Sequence, residues 1–237
     1  MSSSLKLIAS TGMNAVFQEL LPLYEAQTSN SVIVSYDSTN LILERIEAGE
    51  TTDTLVLTCD ALEALAKREL VVPKSIAKLA KSGVGMIVKA GAQHPDIATE
   101  AALRKTLELA KSVAHTTAGA SGVYFMNLLQ QLGIAEAVKA KAITQPGGRI
   151  AGLVSSGQAE IGVQLDSELV GMPGVEYVGP LPAAIQMEII FAIGSFTSSA
   201  KSSLSEELIN FLCRPEHAMV YRKNGMTPLG SFSTDAE

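Results

Sequence analysis

Small hydroxyl and glycine residues gather in front of three apolar segments of this chain. In "VAHTTAGASGVYFMNLLQQLGI", Val113 to Ile134, the cluster Thr116, Thr117, Gly119, Ala120, Ser121 and Gly122 precedes an apolar run at helical spacing. Ser10 and Thr11 stand before "MNAVFQELLPLYEAQT", and Ser38, Thr39 and Asn40 bear on the start of "NLILERIEAGE". Two kinds of chemistry suit such residues at the head of a helix. One is ordinary capping, in which a side-chain oxygen accepts from a first-turn N–H. The other is anion binding, because the orphan N–H groups and the helix dipole favour negative charge there. Residue type and spacing leave both open. His115, next to the glycine cluster, is either a hydrogen-bonded structural histidine or a proton carrier. Arg149, in "PGGRIAG", is either a solvated residue at a helix start or a guanidinium able to grip a carboxylate with two hydrogen bonds.

The remaining inventory excludes more than it suggests. His94, His115 and His217 have no helical-spacing partner among themselves, so no metal site is expected, and His94 and His217 read as surface residues. Cys59 and Cys213 lie far apart between apolar neighbours and read as buried free thiols. Met86, Met126, Met187 and Met219 read as core filler, and Tyr124 as either a packed aromatic or a ligand contact. There is no nucleophile elbow, Walker loop or dinucleotide fingerprint, and no cofactor is expected. A net charge of −6, no tryptophan and no basic–aromatic interleaving argue against a nucleic-acid partner. No apolar run reaches the roughly 18 residues of a membrane span. The opening "MSSSLKLIAS" lacks an h-region, so the expectation is a cytoplasmic protein as written, or a periplasmic one whose signal peptide has been removed.

The elements that must position these residues alternate. "LKLIAST", "SVIVSYDS" and "DTLVLTC" read as strands, each followed by a helical pattern, with Pro22 a point for a kink or break and Asp60 an N-cap. That β-α-β-α-β-α order predicts a parallel sheet with helices on both faces. After Val72 come a strand "GVGMIVKAG", a helix "TEAALRKTLELA", the short strand "SVAHT", and further strands at "AEIGVQL" and "MEIIFAIGS". A final helix, "SLSEELINFLCRPEHAMVYRKNG", is interrupted near Pro215. The order predicts two α/β lobes, residues 1–83 with 190–237 and residues 84–189, and a cleft between lobes is a favoured ligand site.

Several segments in this order resemble the type II periplasmic solute-binding proteins, in particular the molybdate-binding-protein-like family. The resemblance lies in "LIASTGMNAVFQELLPLYE", "VSYDSTNLILERIEAGETTDTLVLTCD", "GASGVYFMNLLQQLGI", "GLVSSGQAEIGVQLDSEL" and "INFLCRPEHAMVYRKNGMTP", and spans nearly the whole chain. It implies two parallel-rich sheets flanked by helices, a hinge, and a cleft that closes on a small anion held by hydroxyls and helix-start amides. Carried over by position, the ligand residues are Ser10, Thr11, Ser38, Thr39, Asn40, Gly119, Ala120, Ser121 and Gly122, with the Gly147–Gly148–Arg149 loop. The family's tyrosine after "G-I-V" is replaced here by Leu165, beside Gln164 and Asp166. That change, with Arg149, points from molybdate towards an organic acid. The implied protein is a monomer that serves ABC-transporter membrane subunits. Aconitate isomerase-type proteins also resemble this family, and they imply an alternative: cofactor-free isomerisation of an unsaturated tricarboxylate, with His115 as the acid/base.

Overall fold

The computed structural model describes residues 3–229. In chain order its main elements are β1 (Ser4–Ser10), α1 (Asn14–Thr28), β2 (Ser31–Asp37), α2 (Thr39–Glu47), β3 (Thr54–Thr58), α3 (Cys59–Lys67) and β4 (Ala77–Ser82). There follow β5 (Val84–Lys89), α4 (Glu100–Leu109), β6 (Val113–Thr116), α5 (Ala120–Gln131), α6 (Ala135–Lys139) and β7 (Ala142–Gln145). The chain continues through α7 (Ala151–Ser155), β8 (Ile161–Leu165), α8 (Asp166–Leu169) and β9 (Val175–Pro180). It closes with β10 (Ile189–Ser195), α9 (Ser202–Leu212), α10 (Ala218–Lys223) and β11 (Thr227–Pro228). These elements form two compact units: the described residues of Met1–Lys81 with those of Ile189–Glu237, and Ser82–Glu188. Residues 1–2 and 230–237, the ends of the expected first lobe, lie outside the described residues.

The first unit holds a sheet in the order β11-β4-β10-β3-β1-β2. β1 runs parallel to β2 and β3, and β10 antiparallel to β3. β3, "TLVLT", is buried along nearly its whole length, as suits a central strand covered on both faces. β2 lies at the edge and shows more of itself, Ile33 most of all. Ile8, Leu55 and Leu57 pack with Ile42 and Ile46 of α2 and with Leu62 and Leu65 of α3. Asp53 pins the returning segment. Its carboxylate accepts from the Lys6 N–H at 2.8 Å, the Ser199 hydroxyl at 2.6 Å and Lys201 Nζ at 3.3 Å.

The second unit holds a sheet in the order β7-β6-β8-β5-β9. β6 is parallel to β7 and β8, whereas β5 is antiparallel to β8 and β9. Each sheet is therefore mixed, with its parallel strands grouped together. Ile87, Ala114, Ile150, Ala151, Val154 and Leu169 form a core cluster of this unit. Gln186 locks the head of β5: its side-chain oxygen accepts from the Val84 N–H at 2.9 Å, and its amide donates to the Val84 carbonyl at 2.9 Å.

Some expectations need correction. α1 runs unbroken through Pro22, where Pro22 and Gln18 face solvent, so the carbonyl that loses its donor lies on the exposed side of the helix. Asp60 lies inside the first turn of α3, whose N-cap is Thr58. His217 is buried against Phe211, with ring centroids 4.5 Å apart, rather than on the surface, and burial lowers its pKa. Met126 and Met219 are exposed, while Met86 is in the core. Both cysteines are free, Cys59 buried and Cys213 half-buried.

Candidate functional site

In the first unit the expected ligand residues gather at the C-terminal ends of the parallel strands. The β1/β2 register sets Ser10 opposite Asp37, which brings the Ser10–Thr11 and Ser38–Asn40 loops side by side. Ser10 is buried and leads into a short 3-10 turn, Thr11–Met13, without making a side-chain cap hydrogen bond. Ser38 does cap: its hydroxyl accepts from the Leu41 N–H at 3.4 Å, a long contact, while its own N–H donates to Asp37 Oδ1 at 2.9 Å. Thr39 is half-buried and Asn40 exposed in the first turn of α2. Thr58 ends β3 in the same row and also makes no side-chain cap bond, a position that Asp60 had obscured. Ligands of open α/β sheets bind at this edge, outside the carboxyl ends of the strands.

The second unit repeats the arrangement at the ends of β6, β7 and β8. The Thr117 N–H donates to the Gln145 carbonyl and the Ala118 N–H to the Pro146 carbonyl, each at 3.0 Å, tying the glycine cluster to the loop that carries Arg149. α5 starts with Gly119 as N-cap and no side-chain cap, so the N–H groups of Ala120, Ser121 and Gly122 are its orphan donors. Gly122 is obligatory here: a Cβ would lie inside the van der Waals envelope of the Thr116 carbonyl. His115, buried, turns Nδ1 to the Thr116 carbonyl at 2.9 Å and lies edge-on to Phe125, centroids 5.3 Å apart. A carbonyl only accepts, so Nδ1 carries the proton and Nε2 is the basic nitrogen of the neutral ring. The Tyr124 hydroxyl is used within the unit, donating to the Ile185 carbonyl.

Arg149 sits in a loop held from below by two residues absent from the expected site. Gln164, buried in β8, accepts from the Ile150 N–H at 3.1 Å and donates to the Gly148 carbonyl at 2.8 Å. Glu168, also buried, reaches back to the Leu165 N–H at the head of α8, the return half of a capping box. Burial raises its pKa to about 8, against the pull of Arg149 and of hydrogen bonds from Gln164 and Leu165. Next to it, burial raises Asp166 to about 6, against hydrogen bonds from the Tyr177 hydroxyl at 2.7 Å and the Gly83 N–H. A polar Gln164 inside an otherwise apolar strand was the one sequence signal for this cluster. Glu168, one of two acidic residues at a strand-to-helix turn, gave none.

Each unit thus carries its own cluster of hydroxyls and helix-start amides, the second with a guanidinium as well, and such groups are suited to hold oxygen atoms that carry negative charge. The sequence matches the profile of the bacterial extracellular solute-binding proteins over residues 5–227. The chain belongs to that family. It is also similar to an aconitate isomerase from Pseudomonas sp., 28% identical over 96% of this chain and 88% of the relative. It shares the fold of the periplasmic molybdate-binding protein of Azotobacter vinelandii, with TM-score 0.79, 17% identity, and 94% and 98% of the two chains covered. The sulfate-binding protein SubI of Mycobacterium tuberculosis H37Rv is similar in fold too, with TM-score 0.75, 13% identity, and 97% and 88% covered. The expected type II periplasmic-binding fold is thus the fold of this chain, with two mixed sheets flanked by helices where parallel-rich sheets were expected. Among the described residues no helix is long and apolar enough to cross a membrane.

Proposed function

We propose that this solute-binding protein takes a small organic anion with more than one carboxylate, and that Ser10, Thr11, Ser38, Thr39, Asn40, Gly119, Ala120, Ser121, Gly122 and Arg149 are its ligand residues. The observation that carries this reading is Arg149. It is held by a loop that Gln164 fixes at both Gly148 and Ile150, and it is tied to an uncapped helix start. A planar guanidinium pairs with a carboxylate through two parallel hydrogen bonds, while the amides take further oxygens. Delivery of the ligand to ABC-transporter membrane subunits, by a monomer working outside the cytoplasm, belongs to the same proposal.

A thermal-unfolding panel of citrate, both aconitate isomers, tricarballylate, sulfate, molybdate and tungstate tests it. A carboxylate at a hundred times its Kd adds about 2.7 kcal/mol of stability. Arg149→Ala weakens that ligand tenfold or more, consistent with the loss of a charged hydrogen-bonded pair. Stabilisation by molybdate and sulfate but by no carboxylate would overturn the choice of ligand.

The similarity to an aconitate isomerase over nearly the whole chain supports a second reading, turnover of an unsaturated tricarboxylate. There the same donors would stabilise an enolate-like charge while Nε2 of His115 moves the proton. NMR of cis- and trans-aconitate incubated with the protein separates the two. Interconversion lost in His115→Gln supports turnover, and unchanged spectra from a protein that binds these acids leave a binder.

A further inference from the structure

Thr116 ends β6, and its side chain is almost wholly buried, at 2% exposure. Its hydroxyl oxygen has no hydrogen-bond partner among the described residues. Most buried hydroxyls in folded proteins have a partner, because leaving one without costs its desolvation in full. The neighbourhood is also shaped around this oxygen. A Cβ at Gly119 would stand 2.9 Å from it and a Cβ at Gly122 2.8 Å, so the two glycines keep the space beside it clear. Those glycines bracket the uncapped first turn of α5, a twelve-residue helix. The adjoining Thr117 and Ala118 N–H groups are already given to the Gln145 and Pro146 carbonyls.

We infer that Thr116 is a ligand contact: its hydroxyl donates to an anionic oxygen seated at the first turn of α5, beside the amides of Ala120 to Gly122. This rests on the proposed anion-binding function and adds to it a donor that reads the ligand from beneath the helix start. The free protein then carries the cost of an unsatisfied buried hydroxyl, and the ligand relieves it. Stability and affinity pull in opposite directions at this position.

The test compares wild type, Thr116→Val and Thr116→Ser, with calorimetric titration of citrate, trans-aconitate and molybdate and the ligand-free unfolding midpoint. Valine keeps the shape and removes the hydroxyl, and serine keeps the hydroxyl. Thr116→Val is expected to unfold a few degrees higher without ligand, yet to bind the ligand that wild type binds about tenfold more weakly. Thr116→Ser is expected to bind as wild type does. Equal affinity in wild type and Thr116→Val overturns the Thr116 contact and leaves the anion-binding function standing. A lower ligand-free midpoint in Thr116→Val also overturns it, because the hydroxyl then serves the protein itself. If wild type binds none of the three anions, both the contact and the function are wrong.

Discussion

Two carboxyls at the head of α8, Asp166 and Glu168, are withdrawn from water by different neighbours. Glu168 lies over Gln164 and feels Arg149, whereas Asp166 receives the Tyr177 hydroxyl and faces Gly83 and Gly85, where any Cβ would collide with it. Burial raises both pKa values, so each carboxyl favours the folded state in its protonated form. For Asp166 the folded value of about 6 lies above the ordinary carboxyl value of 3.8. Its contribution is therefore fully present below about 3.8 and is lost as pH rises through about 6. Asp166→Asn, which keeps an acceptor for Tyr177, should gain on wild type as pH climbs from 4 to 7, by no more than about 3 kcal/mol. Urea titrations across that range check it. A difference that does not change with pH would show that the carboxyl has no such burden.

At the scale of elements, close approach decides which glycines matter. α5 comes so near β6 that Gly122→Ala must push the helix off the Thr116 carbonyl, at a cost of about 1–3 kcal/mol. Gly152, inside α7, has nothing within 4 Å of a Cβ, so Gly152→Ala should stabilise by about 0.5–1 kcal/mol. Matching urea midpoints for the two variants would refute the close-approach argument. The same elements divide what can be read from sequence. The helix heads were legible because hydroxyl and glycine clusters mark chain entry chemically, whatever the tertiary context. β4, "AKLAKS", was missed because alanine and lysine favour helix, and only its neighbours β10 and β11 make it a strand. α8, at four residues, is too short for any periodicity to register. Thr58, Gln164 and Glu168 join the site through pairing and burial that spacing alone does not encode.

At the scale of the whole molecule, the β-α alternation and the return of the chain were visible in the order of apolar runs. β5 and β10 were legible as strands but their antiparallel direction was not, because an apolar run carries no direction. That return has a consequence for how the protein is made. In the first sheet β10 lies between β3 and β4, although the whole second unit separates it from them in the chain. During synthesis the first sheet stays open until Ser195 has left the ribosome, about 6 to 23 s after Lys81 at roughly 5–20 residues per second. The second unit is continuous and can fold in that interval. Chains stalled just after Glu188 emerges should therefore give a protease-resistant fragment from the second unit and a cleavable first unit. Protection of the first unit at that length would refute this order. The unit that is begun first is then finished last, and its exposed strand edges are the part of the nascent chain most open to chaperones and to misassembly.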